Sequence, residues 1–231
     1  MSESFEQPKL TWEILQSQVE AFSRKLTSAL EELGIMEECK DLLIDHICVR
    51  LKNNNDVAEL KNELSGFGQI ISSVEVNGRE ISILQLSQPL QLGFWQTYGV
   101  ELPYPKQNHD YADGWEHIEF VLNDAENTMD GVRRALQEKF KLDFDLLKSK
   151  YNYSEDEPHA EGDQLPNPTI GLKVNGVGIK FHAKPIQEVV GFTAWFKQFI
   201  WLRIVLDISV FLDFCDISGG ICHFPLYTKP P

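Results

Sequence analysis

The sequence predicts an α+β fold in which two βαβββ modules form one cupped mixed sheet with an N-terminal helical cap. The first observation is a repeated strand pattern: residues 45–51 align without gaps with residues 116–122, each beginning with an acid, a His and an Ile and ending in Leu. In each copy an Asn- or Asp-rich break and a helical spacing of apolar residues follow the strand. Each copy also contains an Asn-Gly pair between two alternating runs, Asn77-Gly78 and Asn175-Gly176, which is typical of a type I′ hairpin. This repetition predicts a duplicated module with pseudo-twofold symmetry.

The N-terminal segment, residues 1–43, is predicted to be the helical cap. Apolar residues recur at three- and four-residue spacing over residues 11–34, with Thr11 as the N-cap and Gly34 as the terminating residue. A second, shorter helix is predicted at residues 36–43. Neither helix carries a pattern that is typical of a catalytic site, so both are interpreted as packing elements.

The predicted domain with the paired modules covers residues 44–190. The elements predicted for its first module, residues 44–105, are the His46 strand, a helix at 56–67, a hairpin at 70–76 and 80–86, and a strand at 94–102 that ends near Glu101. Those predicted for its second module, about residues 114–185, are the His117 strand, a helix that ends at 140, and a hairpin at 169–174 and 177–183 with His182 near its end. Residues 142–153 fit a helix or a strand equally well, and the acidic residues 154–162 are predicted to form a loop.

Four side chains at equivalent ends of these modules form a candidate metal site. His46 and His117 lie on the two first strands, and Glu101 and His182 lie near the ends of the two last strands. Three imidazoles and a carboxylate suit Zn²⁺, Fe²⁺, Mn²⁺, Co²⁺ or Ni²⁺, and the set leaves the ion with net positive charge. Glu119 lies on the same strand face as His117, so it is a candidate general base, a residue that orients a ligand, or a substitute ligand.

Each of these residues can also be interpreted as a structural or solvated residue with no role in metal binding. A lone strand His is more often hydrogen-bonded within the fold than bound to a metal, although the repeat favours the metal for His46 and His117. Glu101 beside a Leu-Pro turn and His182 at a strand end would then be solvated residues. On that reading the chain is an interaction domain, and every His tolerates replacement by Ala.

Composition and charge exclude several classes of function. The formal net charge is −14 with no basic patch, which argues against a nucleic-acid partner and against adsorption to an anionic membrane. The cysteines at 39, 48, 215 and 222 show no paired spacing, which is typical of reduced thiols in a cytoplasmic protein. The acidic N-terminus lacks the apolar stretch of a secretory signal.

The C-terminal residues 191–231 form an atypical apolar extension of the predicted domain. Residues 192–214 are rich in Phe, Trp, Ile and Leu, but Arg203 and Asp207 lie near the middle. Charges at the centre of a spanning helix cost about 2.5–3.5 kcal/mol each, so no firm membrane association is expected, and an interfacial helix stays an alternative. We interpret the segment as a lineage-specific addition or a translation artefact.

Six motifs in this order resemble the bacterial YecM family of uncharacterised proteins: DHICVRL, NGREI, VELPYP, GWEHIEFVL, LPNPT and IKFH. The resemblance implies a fold similar to the vicinal-oxygen-chelate superfamily of glyoxalases, epimerases and extradiol dioxygenases. Members of that superfamily typically hold a divalent ion on the first and last strands of two βαβββ modules, and the ion chelates two neighbouring oxygens of the substrate. The matching positions are His46, Glu101, His117 and His182. Many members have a carboxylate where this chain has His182, so the metal and the reaction stay open.

These observations predict a divalent-metal-dependent enzyme that acts on a small oxygenated substrate, as an isomerase, a lyase or a dioxygenase. The alternative is a protein that binds a metal or a small ligand in the same cup without turnover. A small-molecule substrate is the predicted partner, and the oligomeric state is open between a monomer and a homodimer.

Overall fold

The computed structural model describes residues 9–106 and 112–192. The predicted extension therefore lies, except for its first two residues, outside the described part of the chain. The elements in chain order are α1 (Trp12–Leu33), α2 (Met36–Cys39), β1 (Leu43–Arg50), α3 (Asn54–Leu64), β2 (Gly68–Val76), β3 (Arg79–Leu92), β4 (Trp95–Pro103), β5 (Gly114–Val121), α4 (Met129–Phe140), α5 (Phe144–Lys150), β6 (Asn152–Asp156), β7 (Thr169–Val174), β8 (Val177–His182) and α6 (Ile186–Val189).

The strands form one eight-stranded mixed sheet in the order β2-β3-β4-β1-β5-β8-β7-β6. The first half of the sheet is the module β1-α3-β2-β3-β4, and the second half is β5-α4-β6-β7-β8 with α5 inserted after α4. The prediction of an α+β fold from two βαβββ modules with N-terminal helices is therefore confirmed. Both Asn-Gly turns have positive φ at both residues, which is the type I′ geometry that a tight hairpin requires.

The two halves are related by a pseudo-twofold axis at the centre of the sheet. β1 and β5 pair antiparallel there, with Ile47 opposite Ile118. Each of these strands then pairs in parallel with the last strand of its own module, β1 with β4 and β5 with β8. The same axis relates the pair of His46 with Gly99 to the pair of His117 with Gly178.

Helices α1 to α5 cover one face of the sheet and form the main core with it. Side chains alternate along β1 and β5, so Ile47, Ile118 and Phe120 point into this core and are fully buried. Phe120 stacks on Phe181 of β8 with ring centroids 5.7 Å apart. The opposite face therefore receives the polar residues of both strands, together with a second, smaller apolar cluster of Ile83, Ile186 and Val189.

Local capping explains where several elements begin and end. The Thr11 side chain accepts a hydrogen bond from the Ile14 amide at 3.3 Å, and Gly34 at φ 71° ends α1, as predicted. The helix predicted at 36–43 is shorter, because its last residue already begins β1. In the region predicted as ambiguous, Asp143 caps α5 through the amides of residues 145 and 146, and β6 follows. The loop predicted at 154–162 therefore begins inside a strand.

Candidate metal centre

The central strand pair brings the two repeated histidines together. In the β1–β5 register His46 lies opposite Glu119, and His117 lies opposite Cys48. Paired residues of neighbouring strands point to the same face of a sheet, so all four side chains lie on the face opposite the main core. Glu101 joins them from β4, where it pairs with Cys48.

The side chains of His46, Glu101, His117 and Glu119 converge closely. The Nε2 atom of His46 lies 3.4 Å from Oε2 of Glu101 and 3.3 Å from Oε1 of Glu119. The Nε2 atom of His117 lies 3.3 Å from the same Glu119 oxygen and 3.8 Å from Oε2 of Glu101. One atom from each residue fits within 4.8 Å of all the others, and all four residues are buried.

The two Nε2 atoms have the environment of metal-ligand atoms. Both are buried and make no hydrogen bond within the described part of the chain. A buried nitrogen without a partner costs free energy, and a divalent ion that accepts its lone pair would remove this cost. Two imidazoles and two carboxylates are a donor set that suits Zn²⁺, Fe²⁺, Mn²⁺, Co²⁺ and Ni²⁺, so the residues present fit the predicted metal.

The opposite nitrogen of each ring is held by the acid that precedes it in sequence. Nδ1 of His46 lies 2.8 Å from Oδ2 of Asp45, and Nδ1 of His117 lies 2.7 Å from Oε2 of Glu116. Such carboxylate–histidine pairs fix the ring orientation and the tautomer of metal ligands. The pseudo-symmetry of the fold thus extends to the residues that orient the two rings.

A β-bulge places each of these acids beside its histidine. The β1–β5 register shifts between Ile44 and His46, which leaves Asp45 as the extra residue on β1, and an equivalent shift leaves Glu116 as the extra residue on β5. In a regular strand neighbouring side chains would point to opposite faces, so the bulges are what allow an acid and the next His to meet.

Further contacts hold these two carboxylates in place. Glu116 also accepts a hydrogen bond from Nε of Arg50 at 2.9 Å. Asp45 accepts one from the backbone amide of Ile186, the first residue of α6, at 3.0 Å. Asp45 therefore joins His46 to α6 across 141 residues of sequence.

Cys48 is a further group in the site that the sequence analysis did not select. It is the pseudo-symmetric counterpart of Glu119, since each lies two residues after its histidine. Its thiol donates a hydrogen bond to Oε1 of Glu101 at 3.3 Å, and burial raises its pKa. Cys48 also forms a second group of closely spaced ligand atoms with Glu116 and His117. The neutral thiol acts here as a donor that orients Glu101.

The structure places His182 outside the four-residue group. Parallel pairing sets His182 beside Val121, whereas Lys180 pairs with Glu119. His182 is fully buried, with its ring 6.2 Å from that of His46 and its Nε2 atom 3.6 Å from Oδ2 of Asp45. His182 therefore lies next to His46 and Asp45, and burial lowers the pKa of His182. Glu119 takes the fourth place in the group.

Lys180, another residue that was not predicted, is the counterpart of Glu101. Glu101 lies two residues beyond the partner of His46 on β4, and Lys180 lies two residues beyond the partner of His117 on β8. Its Nζ atom lies 2.7 Å from Oε1 of Glu119. Regular alternation from His182 along the last strand was the sequence signal that could have identified it.

The electrostatics of the group favour bound positive charge. Burial raises the pKa of Glu101 and Glu119, but the imidazoles of His117 and His46 close to Glu101, and the charges of Lys180 and His46 near Glu119, lower both pKa values well below their usual range. Burial lowers the pKa of His46, but the Glu119 charge and the Asp45 hydrogen bond raise it well above its usual value. The carboxylates thus attract either protons on the imidazoles or a metal ion in their place.

A cleft of about 260 Å³ lies against this group. His46, Glu101, Glu119 and Lys180 form part of its lining, and most of the remainder comes from the β2–β3 hairpin, the segment before β7, and α6. A small molecule in the cleft would therefore contact three of the four candidate ligands, His46, Glu101 and Glu119.

Comparison with known proteins identifies the family. The model of the YecM family, described as "YecM protein", matches residues 12–192. This chain belongs to the YecM family. The match covers both modules and the helices of the cap, so it includes all of the residues of the candidate site.

Relatives align along most of their length. Protein YecM of Escherichia coli (strain K12) is 31% identical over 174 residues, which is 75% of this chain and 89% of that protein. A Haemophilus influenzae protein described as uncharacterized is 27% identical over 186 residues, which is 78% of this chain and 93% of that protein. A solved structure of a structural-genomics protein, EC4020, superposes with a TM-score of 0.63 at 28% identity, over 82% of this chain and 98% of that one.

Within the described residues, no helix combines the length and apolar character that a membrane span requires.

Proposed function

We propose that this member of the YecM family is a divalent-metal-dependent enzyme that acts on a small oxygenated substrate. One observation carries the proposal: two buried imidazole Nε2 atoms without hydrogen bonds face two buried carboxylates, while the Nδ1 atom of each ring is held by a third and a fourth carboxylate. A purely structural histidine would be expected to use both ring nitrogens in hydrogen bonds.

His46, His117 and Glu101 are the proposed ligands, and Glu119 is the proposed fourth. The distances of 3.3 Å from Glu119 to both Nε2 atoms support Glu119 over His182 in that role. Asp45 and Glu116 orient the two rings. His182 lies beside Asp45, with its Nε2 atom 3.6 Å from Oδ2 of that carboxylate.

The chemistry would take place at the edge of the cleft. A divalent ion held by these residues would supply Lewis-acid chemistry to an oxygenated substrate, as in isomerases, lyases and dioxygenases with paired βαβββ modules. The cleft of about 260 Å³ suits a small molecule. Glu119 contacts the cleft and, when it is not bound to the ion, serves as a proton acceptor next to the substrate.

A protein that sequesters a metal or a small ligand without turnover is the alternative. The Lys180 ammonium, 2.7 Å from Glu119, competes with any role of this carboxylate as a base, and this contact favours the alternative. Product formation separates the two functions, because a sequestering protein saturates with its ligand and releases it unchanged.

Elemental analysis of gently purified protein, followed by titration of the metal-free chain with Zn²⁺, Mn²⁺, Fe²⁺, Co²⁺ and Ni²⁺, tests the proposal. We expect one ion per chain, and loss of this ion in His117→Ala. The matched control is His159→Ala, because His159 is exposed and lies outside the group. Unchanged metal content in His117→Ala overturns the proposal. A cytoplasmic location and the absence of a nucleic-acid partner are further proposals, which cell fractionation and a nucleic-acid binding assay test. Gel filtration decides between a monomer and a homodimer.

A further inference from the structure

Lys180 is a cation in direct contact with one of the candidate ligands. Its Nζ atom contacts Glu119 at 2.7 Å, its side chain is 30% exposed, and it lines the cleft. The ammonium therefore lies where the group of ligands meets the space open to a small molecule. A lysine whose role was limited to neutralising Glu119 would not need to reach the cleft.

The pseudo-symmetry of the sheet relates the position of Lys180 to that of a candidate ligand in the first module. Glu101 is a ligand candidate in the first module, and Lys180 occupies the equivalent place in the second. A protonated amine has no lone pair for a metal. The second module thus supplies a positive charge at the place where the first supplies a carboxylate, and the missing negative charge is left for a molecule in the cleft to provide.

The charged residues around the cleft also favour an anionic ligand. Four cations line it, Arg50, Arg79, Lys106 and Lys180, together with four acids, Glu101, Glu119, Asp156 and Asp163. Two of the acids are proposed metal ligands, and a divalent ion would balance their charge. With Glu116, the partner of Arg50, counted as well, the described residues around the metal-loaded cleft carry an excess of one positive charge, in a chain with a net charge of −14. Such a local excess attracts anions.

Part of the cleft wall is apolar. Val74, Ile81 and Ile83 of the hairpin face it, and Ile186 and Val189 of α6 adjoin them. Ile83, Ile186 and Val189 are 5%, 8% and 2% exposed and form one packed cluster. A hydrocarbon substituent of the bound molecule would replace water beside the partly exposed Val74 and Ile81.

We propose that the cleft takes a small carboxylic acid with an apolar side chain, and that Lys180 binds its carboxylate while a neighbouring oxygen lies at the metal centre. This inference rests on the proposed function, since it assumes an ion on His46, His117 and the two glutamates. Lys180 is then a specificity-determining residue. A salt bridge from an ammonium to a carboxylate in a partly buried site favours the acid over a neutral isostere by about tenfold to hundredfold.

The test uses the Zn²⁺-loaded full chain and two probes, 2-hydroxy-3-methylbutanoate and its primary amide. These molecules have the same shape and the same hydroxyl group and differ in charge. Isothermal titration calorimetry gives the Kd of each probe for the wild type, for Lys180→Met and for Lys25→Met. Lys25 is exposed on α1 and lies outside the cleft, so it provides the matched control.

We expect the wild type and Lys25→Met to bind the acid at least tenfold more tightly than the amide, and Lys180→Met to lose this preference while it still binds one Zn²⁺ per chain. Equal affinity of the wild type for acid and amide, at full Zn²⁺ occupancy, overturns the inference and leaves the metal centre intact. Retention of the preference in Lys180→Met overturns the role of Lys180. A wild-type chain that binds no ion overturns the proposed function and this inference with it. The wild-type comparison needs no variant, so it holds even if Lys180→Met fails to fold.

Discussion

A side chain on Gly178 would place its Cβ atom 2.5 Å from the Cβ atom of His117, which is closer than two carbon atoms can approach. Gly99 has the same relation to His46, with a separation of 2.7 Å. Both glycines are the strand partners of the histidines in the parallel pairs. The fold thus keeps the space beside each candidate ligand free of side chains.

Gly178→Ala is therefore expected to displace His117 and to weaken metal binding by at least tenfold, since a metal site tolerates little error in ligand position. Titration of the metal-free variant with Zn²⁺ measures the effect. Gly66→Ala is the control, because Gly66 is exposed, lies far from the site in the sequence and has a single backbone atom at 3.3 Å from an added Cβ. Unchanged affinity in Gly178→Ala would show that His117 is not a ligand or that β8 moves to make room.

Asp45→Asn is expected to lower metal affinity by about 10- to 100-fold, because the neutral amide holds the His46 ring less firmly and makes it a poorer donor. Glu116→Gln is expected to have the smaller effect, since the Glu116 side chain is 27% exposed and that of Asp45 is 1% exposed. Competition with a coloured chelator gives the two dissociation constants. Asp124→Asn, at an exposed position, controls for the change in net charge. An order of effects opposite to this one would contradict the assignment of Asp45 as the firmer support.

Phe181→Ala is expected to destabilise the fold by about 3–5 kcal/mol, because it removes a large side chain from the main core. Phe181 is fully buried and contacts the rings of Phe120 and Phe140 with centroids 5.7 and 5.6 Å away. Phe94→Ala, at a position that is 67% exposed, is expected to change stability by less than about 0.5 kcal/mol. Urea unfolding monitored by circular dichroism distinguishes the two variants, and equal stabilities would show that the helices do not pack on β8 as described.

Metal binding is expected to stabilise the folded chain. An ion at about 100 times its Kd that binds the folded state alone adds about 2.7 kcal/mol, so the melting temperature rises with added Zn²⁺ and falls with a chelator. His117→Ala is expected to abolish this response. A variant that keeps the full thermal shift would place the ion at another site.

Deletion of residues 193–231 is expected to leave a folded protein that binds metal. The family model ends at residue 192, and every residue of the candidate site precedes that point. Thermal unfolding and Zn²⁺ titration of the shortened chain are the measurements. Loss of a cooperative transition would show that the domain depends on its C-terminal segment.

Local patterns in the sequence are enough to predict most of the fold. The repeated His strands and both Asn-Gly turns lie where the alternation and the turn chemistry place them, because such signals depend on residues close together in the chain. Residues 142–153 resisted prediction because they contain a short helix and the start of a short strand, and neither is long enough to show its period.

Less of the candidate site than of the fold could be predicted from the sequence. His182 was selected because it ends the last predicted strand, but the register between parallel strands 61 residues apart decides which side chain faces Glu119, and that side chain is Lys180. The roles of Asp45 and Glu116 depend on two bulges, and a strand pattern with a strict period of two assigns each acid to the wrong face. The repeated acid-His pair was nevertheless visible as a sequence signal.

The double role of Asp45 links a helix of the cleft wall to the candidate metal centre. Its Oδ2 atom receives both the His46 ring and the backbone amide of Ile186. A ligand or a mutation that moves this carboxylate towards one partner weakens its hydrogen bond to the other. Occupancy of the metal centre and the position of α6 are therefore thermodynamically coupled. The rate at which the Ile186 amide exchanges its hydrogen with solvent would consequently report whether the centre holds an ion.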